Sequence, residues 1–239
     1  MTTEEILNQI TELSRVWYIQ IGDDHHKDRD CHFYINTVWS YGQRQKYRVE
    51  HFGYIFDDIE EEFDTYRAKK LPHPLLVENN IKAHLFPNQK LLNQWRNNFA
   101  GIRYFDQALE ATLFGAVDDV LEFDDLKIAP LDYKSTGSTA AKIYDRFQLQ
   151  LDTYTFLMEK NGFATTRKGY LAFYIVDKSR GFIDRLPFRK EVVEIDTNPS
   201  DIYAIFNDAV NVLRQANPPP HNADCPFGKW LNGARSFSN

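Results

Sequence analysis

Residues 111–136 read ATLFGAVDDVLEFDDLKIAPLDYKST, and this stretch decides the predicted fold. The β-branched and aromatic residues of ATLFGAVDDVLEF predict one strand, and those of KIAPLDYKST predict a second. A tight turn around Asp124 and Asp125 would join the two strands into a β-hairpin. Because Asp118 and Asp132 lie 14 positions apart on either side of that turn, we expect their carboxylates to lie close together.

Lys134 follows Asp132 by two positions, so both side chains should point to the same face of the second strand. Burying two acids and a lysine is costly unless they neutralise one another or bind a cation. Two carboxylates suit Mg²⁺, and a neighbouring lysine can orient an attacking water or stabilise the transition state of phosphodiester hydrolysis. The simpler alternative is a surface hairpin with a Lys–Asp ion pair, because the tripeptide D-x-K is common.

Outward from the hairpin, helices alternate with strands, which indicates an α/β core with a mixed central sheet flanked by helices. Apolar residues at 3–4 residue spacing predict a helix over 139–160, which Asn161-Gly162 would end. Residues 1–56 are expected to form a small, partly β region, 57–230 the main domain and 231–239 a tail. The other predicted elements are helices near 55–69, 89–98 and 200–215, loop plus short turns over 72–87, and strands KGYLAFYIV (168–176) and LPFRKEVVEI (186–195).

The order GAVDDV, LDYKST and then Gln150-x-x-x-Tyr154 on a helix resembles the RecB-type branch of the PD-(D/E)XK nucleases, related to CRISPR-associated and AddB-like exonucleases. The resemblance covers roughly residues 57–230. It implies a restriction-endonuclease-like fold and a metal-dependent deoxyribonuclease of the RecB-like exonuclease kind. Asp118 and Asp132 would be the metal ligands, Lys134 the catalytic lysine, and Gln150 and Tyr154 the supporting pair on the helix.

Further site residues follow from the same resemblance and from spacing. Many nucleases of this branch take a metal ligand from a histidine on a helix before the sheet, for which His51 is the first candidate. Glu110, just upstream of the first strand, could ligate the metal or its water. Lys142 and Arg146 share a helix stripe with Gln150 and could contact DNA phosphates. The histidines that compete with the first candidate are His25, His26, His32, His73 and His84, and a structural or exposed role is more common for a lone histidine.

Composition limits the cofactor and the partner. The formal net charge of −6 argues against a protein that coats DNA, but not against an enzyme that meets DNA at one local patch. An iron–sulfur cluster needs about four thiolates, and the chain has only Cys31 and Cys225, so we expect none. A mononuclear site formed by these cysteines with His32 is the weaker alternative. Mg²⁺ or Mn²⁺ is therefore the expected cofactor.

The sequence also bears on where the protein acts and on its partners. The N-terminus has no secretory signal and no apolar run approaches the ~20 residues of a membrane helix, so a cytoplasmic protein is expected. Family analogy suggests a protein partner in a repair, recombination or defence complex, and leaves the oligomeric state open. Two other function classes stay open: a nucleic-acid or protein binding module on the same fold that no longer cuts, and an interaction protein.

Overall fold

The computed structural model describes residues 59–177, 179 and 187–216. Of these, the residues from 59 to 208 belong to one compact unit and 209–216 to a second. The predictions for region 1–56 and for the tail lie outside the described residues. In chain order the elements are α1 (59–69), α2 (Pro74–Glu78), β1 (His84–Leu85), α3 (Gln89–Arg96), β2 (Ile102–Asp106), β3 (Ala111–Gly115), β4 (Asp119–Glu122), β5 (Ile128–Thr136), α4 (Asp145–Lys160), β6 (Lys168–Val176), β7 (Phe188–Asp196), a 3₁₀ turn (Pro199–Asp201) and α5 (Ile202–Leu213).

The central sheet has five strands in the order β1-β4-β5-β6-β7. Only the pair β5–β6 is parallel, and α4 supplies the crossover connection that a parallel pair requires. Strands β2 and β3 form a separate antiparallel pair. This arrangement confirms the predicted mixed sheet flanked by helices and agrees with the restriction-endonuclease-like fold.

The two faces of β5 and β6 differ in what they contact. Leu131, Tyr133 and Tyr170 join the apolar cluster that contains Phe63 of α1 and Leu75 of α2. The alternate residues face α4, since period-two alternation sends successive side chains to opposite faces. On that face the backbone of Gly169 lies so close to α4 that an added Cβ would be 2.9 Å from Leu151 Cδ1.

Several of the predicted elements are confirmed, and three predictions are wrong. Helix α1 ends before Pro72, and α3, β6, β7 and α5 lie where the patterns predicted them. The prediction of a single strand over ATLFGAVDDVLEF is wrong, because β3 pairs with β2 and β4 pairs with β5. The break falls at residues 116–118, where Val117 N donates to Trp95 O at 3.2 Å instead of to a strand.

The other two errors concern the segment 72–87 and the start of α4. The predicted loop over 72–87 contains α2 and β1, because Pro74 suits a first helical turn and the His73 side chain accepts from Leu75 N. Helix α4 begins at Asp145 rather than near residue 139. Tyr144 is extended, at φ −115° and ψ 151°, and interrupts the apolar periodicity that suggested an earlier start.

Candidate active site

Asp118 immediately precedes β4, next to the neighbouring strand β5. Asp119 pairs with Leu131 in the antiparallel register, so Asp118, one residue earlier, comes next to Asp132. Its carboxylate accepts a hydrogen bond from Tyr133 N, with 2.7 Å between Oδ2 and the nitrogen. The Asp118 carboxylate therefore lies beside the peptide bond that joins Asp132 to Tyr133.

Asp132 and Lys134 are both buried on the α4 side of the sheet, with 1% and 4% of their surface exposed. The Lys134 ammonium pairs with the Asp132 carboxylate. It also donates to Gln150 Oε1 at 3.1 Å and lies 4.7 Å from the ring centroid of Phe147. A carboxylate, an amide oxygen and an aromatic face thus fix the position of the amine.

Gln150 and Tyr154 connect Lys134 to the segment before Asp118. Gln150 Nε2 donates to the Tyr154 hydroxyl at 3.0 Å, and that hydroxyl donates to Ala116 O at 2.5 Å. Gly115 permits this approach, because a Cβ there would lie 2.9 Å from Tyr154 Cε1. A continuous hydrogen-bonded chain therefore runs from the lysine through α4 to the backbone two residues before Asp118.

The Asp119 side chain faces α1 instead, although it is adjacent to Asp118 in sequence. It is fully buried and accepts from Arg67 Nη2 at 2.5 and 2.6 Å, from Arg96 Nη2 at 2.9 Å and from the Tyr133 hydroxyl at 2.8 Å. Burial and the Asp119 charge raise the pKa of Tyr133 well above its usual range. Asp119 therefore anchors a buried charged network on the face opposite Lys134.

Arg96, at the end of α3, links that network to Asp118, and sequence reasoning missed it. Its Nε donates to Asp118 O at 2.6 Å, while its Nη1 donates to Asp64 at 2.9 Å. Burial alone would lower the pKa of Arg96, but Asp119, followed by Tyr133, Asp64 and Glu60, raises it above the usual value. The guanidinium therefore stays charged and fixes the backbone of Asp118.

The two predicted phosphate-binding residues flank the start of α4. The Arg146 guanidinium carbon lies 4.3 Å from the Tyr144 ring centroid and 4.9 Å from that of Phe147. The exposed Lys142 ammonium lies 5.0 Å from the same Tyr144 ring. Arg146 and the buried Lys134 therefore both lie against the ring of Phe147.

The structure does not bring Glu110 to this group. The residue is exposed in the turn between β2 and β3, at φ 43°, whereas Gly115 marks the other end of β3. Of the histidines, His73 is buried against Phe63 with a ring separation of 3.8 Å, and His84 is exposed beside Asp124. His51, His25, His26 and His32 lie outside the described residues.

Comparison with known proteins decides the family. A model of the PD-(D/E)XK nuclease superfamily matches residues 39–230. The chain belongs to the PD-(D/E)XK nuclease superfamily. No curated protein matches the chain. A solved structure described as "Crystal structure of SSO0001" shares 16% identity over 51% of this chain and 50% of that chain, with a TM-score of 0.30, and at this level the likeness supports no functional inference.

PD-(D/E)XK nucleases typically use divalent metals, and the donors present fit such an ion. The part of the chain that the structure describes holds no group of three or more His, Cys, Asp or Glu that could bind a metal. Mg²⁺ commonly takes only one or two carboxylates from a protein and keeps several waters. The pair Asp118 and Asp132 therefore suits Mg²⁺ or Mn²⁺. Cys31 and Cys225 lie outside the described ranges, so the expected lack of an iron–sulfur cluster stays a prediction.

Chemically, this arrangement matches what a superfamily that hydrolyses phosphodiester bonds requires. Asp118 comes next to Asp132 in the strand register, and the Lys134 ammonium pairs with the Asp132 carboxylate. Among the residues that the structure describes, no helix has the length and apolar character needed to cross a membrane.

Proposed function

We propose that this chain is a Mg²⁺- or Mn²⁺-dependent deoxyribonuclease, acting as a RecB-like exonuclease. One observation supports this most strongly. The Asp118 carboxylate lies 2.7 Å from Tyr133 N, beside the buried pair of Asp132 and Lys134. Such a group of charges is costly to bury in a purely structural role, and it suits a site that holds a cation and a phosphate.

Each side chain has a role in this proposal. Asp118 and Asp132 hold the divalent ion, which would supply neutralisation of the charge that develops on the phosphate. Lys134 orients the attacking water or donates to a phosphate oxygen in the transition state. Gln150 fixes the lysine amine and Tyr154 fixes Gln150, so this pair preserves the geometry without contacting the reacting atoms.

DNA binding would occur at a local patch. Arg146 lies against Phe147, on whose ring Lys134 also lies, and Lys142 is exposed nearby. In this proposal both cations contact phosphates that flank the scissile bond. A local cationic patch is consistent with the net charge of −6, which makes DNA binding unfavourable over the rest of the surface. We further propose that the protein acts in the cytoplasm, with a partner in repair, recombination or defence.

The test is a cleavage assay on linear and circular DNA, single- and double-stranded, with RNA of the same sequence alongside. We expect cleavage of linear DNA with Mg²⁺ or Mn²⁺, none with EDTA, and none of closed circles. Asp132→Asn should abolish the activity. Asp125→Asn, in an exposed turn where Asp125 pairs with Lys127, is the matched control and should cleave normally.

The assay also separates the alternatives. Cleavage of circular DNA would make the protein an endonuclease, and cleavage of RNA alone would overturn the assignment of the substrate. If wild type binds DNA but cleaves nothing with either metal, the chain is a binding module on this fold.

A further inference from the structure

Phe99 is the most exposed of the large hydrophobic side chains in the described residues, at 81%. A single exposed hydrophobic residue carries no meaning by itself. Its position in this fold is informative, because the turn that holds it, residues 97–100, adjoins the segment 115–118 that leads into Asp118.

The chain enters this turn in contact with the aspartate segment. Trp95 O accepts from Val117 N at 3.2 Å, and Arg96 Nε donates to Asp118 O at 2.6 Å. Consecutive Cα atoms are 3.8 Å apart, so the Cα of Phe99 lies at most about 11 Å from that of Arg96.

The chain leaves the turn against the same segment. Ile102 pairs with Gly115 in the β2–β3 register. Gly101 is at φ +60°, and a Cβ there would lie 2.5 Å from Gly115 O, so only glycine allows this contact. Both ends of the turn are therefore fixed to residues 115–118, and the exposed Phe99 is carried beside the segment that leads into Asp118.

The backbone of the turn is held firmly while the Phe99 ring stays in solvent. Asn97 Oδ1 accepts from Phe99 N at 2.8 Å and from Ala100 N at 2.9 Å. The Arg103 guanidinium donates to Phe99 O and, at 2.6 Å, to Ala100 O, and it lies 4.9 Å from the Phe114 ring centroid. A fixed backbone that presents an aromatic ring to solvent loses little entropy when the ring meets a ligand.

We propose that Phe99 stacks on an unpaired nucleobase next to the scissile phosphate. The inference rests on the proposed nuclease function, since that function places a phosphodiester at Asp118. An aromatic face stacks on any base, whereas bases inside a duplex have both faces covered. The residue therefore selects single strands or frayed ends, and it contacts the base while Arg146 and Lys142 contact the backbone.

The test compares binding to two fluorescein-labelled single strands in EDTA, where no cleavage occurs. One strand is oligodeoxythymidine and the other is an abasic strand of equal length with the same phosphates. We expect wild type to bind the thymidine strand about 5- to 150-fold more tightly, the range given by base stacking on one aromatic residue. Phe99→Ala should reduce this ratio toward one, and Phe99→Trp should retain it.

Phe105→Ala is the matched control, because Phe105 is 59% exposed and pairs with Thr112, farther along the hairpin from Gly115. It should keep the wild-type ratio.

An unchanged ratio in Phe99→Ala, or a wild type that does not distinguish the strands, would overturn the inference. A base preference that is lost in Phe99→Ala, in a protein that never cleaves, would support stacking while refuting the nuclease. Metal-dependent cleavage together with an unchanged binding ratio in Phe99→Ala would support the nuclease and refute stacking.

Discussion

At the scale of single residues, Lys134 is the group on which hydrolysis should depend most. It pairs with Asp132, donates to Gln150 and packs on Phe147. We predict that Lys134→Ala lowers the cleavage rate by about 10²- to 10³-fold, the usual loss for one transition-state donor. The far-UV circular dichroism spectrum should be unchanged. Lys127→Ala, which removes an exposed lysine from a turn, should cleave as wild type, and cleavage by Lys134→Ala at the wild-type rate would refute the role.

Arg96 should act on the site through Asp118. Arg96→Lys keeps the positive charge but cannot reproduce the simultaneous contacts to Asp118 O, Asp119 and Asp64. We predict weaker Mn²⁺ binding by calorimetry, together with lower activity. Arg96→Ala should also lower the free energy of unfolding by about 3–5 kcal/mol, because Asp119 loses a buried partner. Arg167→Lys, at an exposed ion pair with Glu159, is the control, and equal Mn²⁺ affinity in Arg96→Lys and wild type would exclude the positioning role.

His73 gives the fold a pH dependence that is separate from catalysis. Burial lowers its pKa to about 4, against the opposing charge of Glu62. The unfolded chain, with a histidine pKa near 6.5, therefore binds a proton before the folded chain does as the pH falls. The contribution of neutral His73 to the free energy of unfolding is therefore complete above about pH 6.5. It is lost progressively toward pH 4, by up to about 3 kcal/mol.

His73→Asn tests this effect, since asparagine retains an acceptor for Leu75 N but does not titrate. Urea unfolding at several pH values should show a smaller decline between pH 6.5 and 4 in the variant than in wild type. Parallel curves for the two proteins would show that His73 does not cause the decline.

At the scale of elements, the contact between β3 and α4 positions the supporting pair. Gly115→Ala places a Cβ within 2.9 Å of the Tyr154 ring, and Tyr154 is held in turn by Ala116 O. We predict a loss of about 1–3 kcal/mol in the free energy of unfolding from overpacking, and reduced cleavage because Gln150 loses its partner. A Cβ at Gly137 would meet nothing within 4 Å, so Gly137→Ala should unfold like wild type. Equal stability of the two variants would contradict the packing argument.

Local patterns predicted the strands and helices whose signals lie within one element. KGYLAFYIV is apolar throughout and forms β6, because a strand covered on both faces needs no polar alternation. The pattern failed at residues 116–118, since the division of one apolar run between two sheets depends on Trp95 from another element. It also failed at the start of α4, where Ile143 fits helical spacing yet lies exposed before the helix begins.

At the scale of the whole molecule, the same distinction explains which site residues the sequence could reveal. Asp118, Asp132 and Lys134 lie on one hairpin, so spacing and alternation suffice to bring them together. Arg67 and Arg96 come from α1 and α3, and nothing local shows that both converge on Asp119. The available signal was a second acid, Asp119, next to Asp118 in a predicted strand, because a carboxylate that becomes buried there requires a partner. That signal does not identify which arginine is the partner.

The central claim is that Asp118 and Asp132 together hold one divalent cation. The most direct measurement is a calorimetric titration of Mn²⁺ into wild type, Asp118→Asn, Asp132→Asn and the exposed control Asp125→Asn. The account predicts saturable binding in wild type and in the control, and its loss in both site variants. Equal binding in wild type and Asp132→Asn, or no binding in wild type, would contradict it.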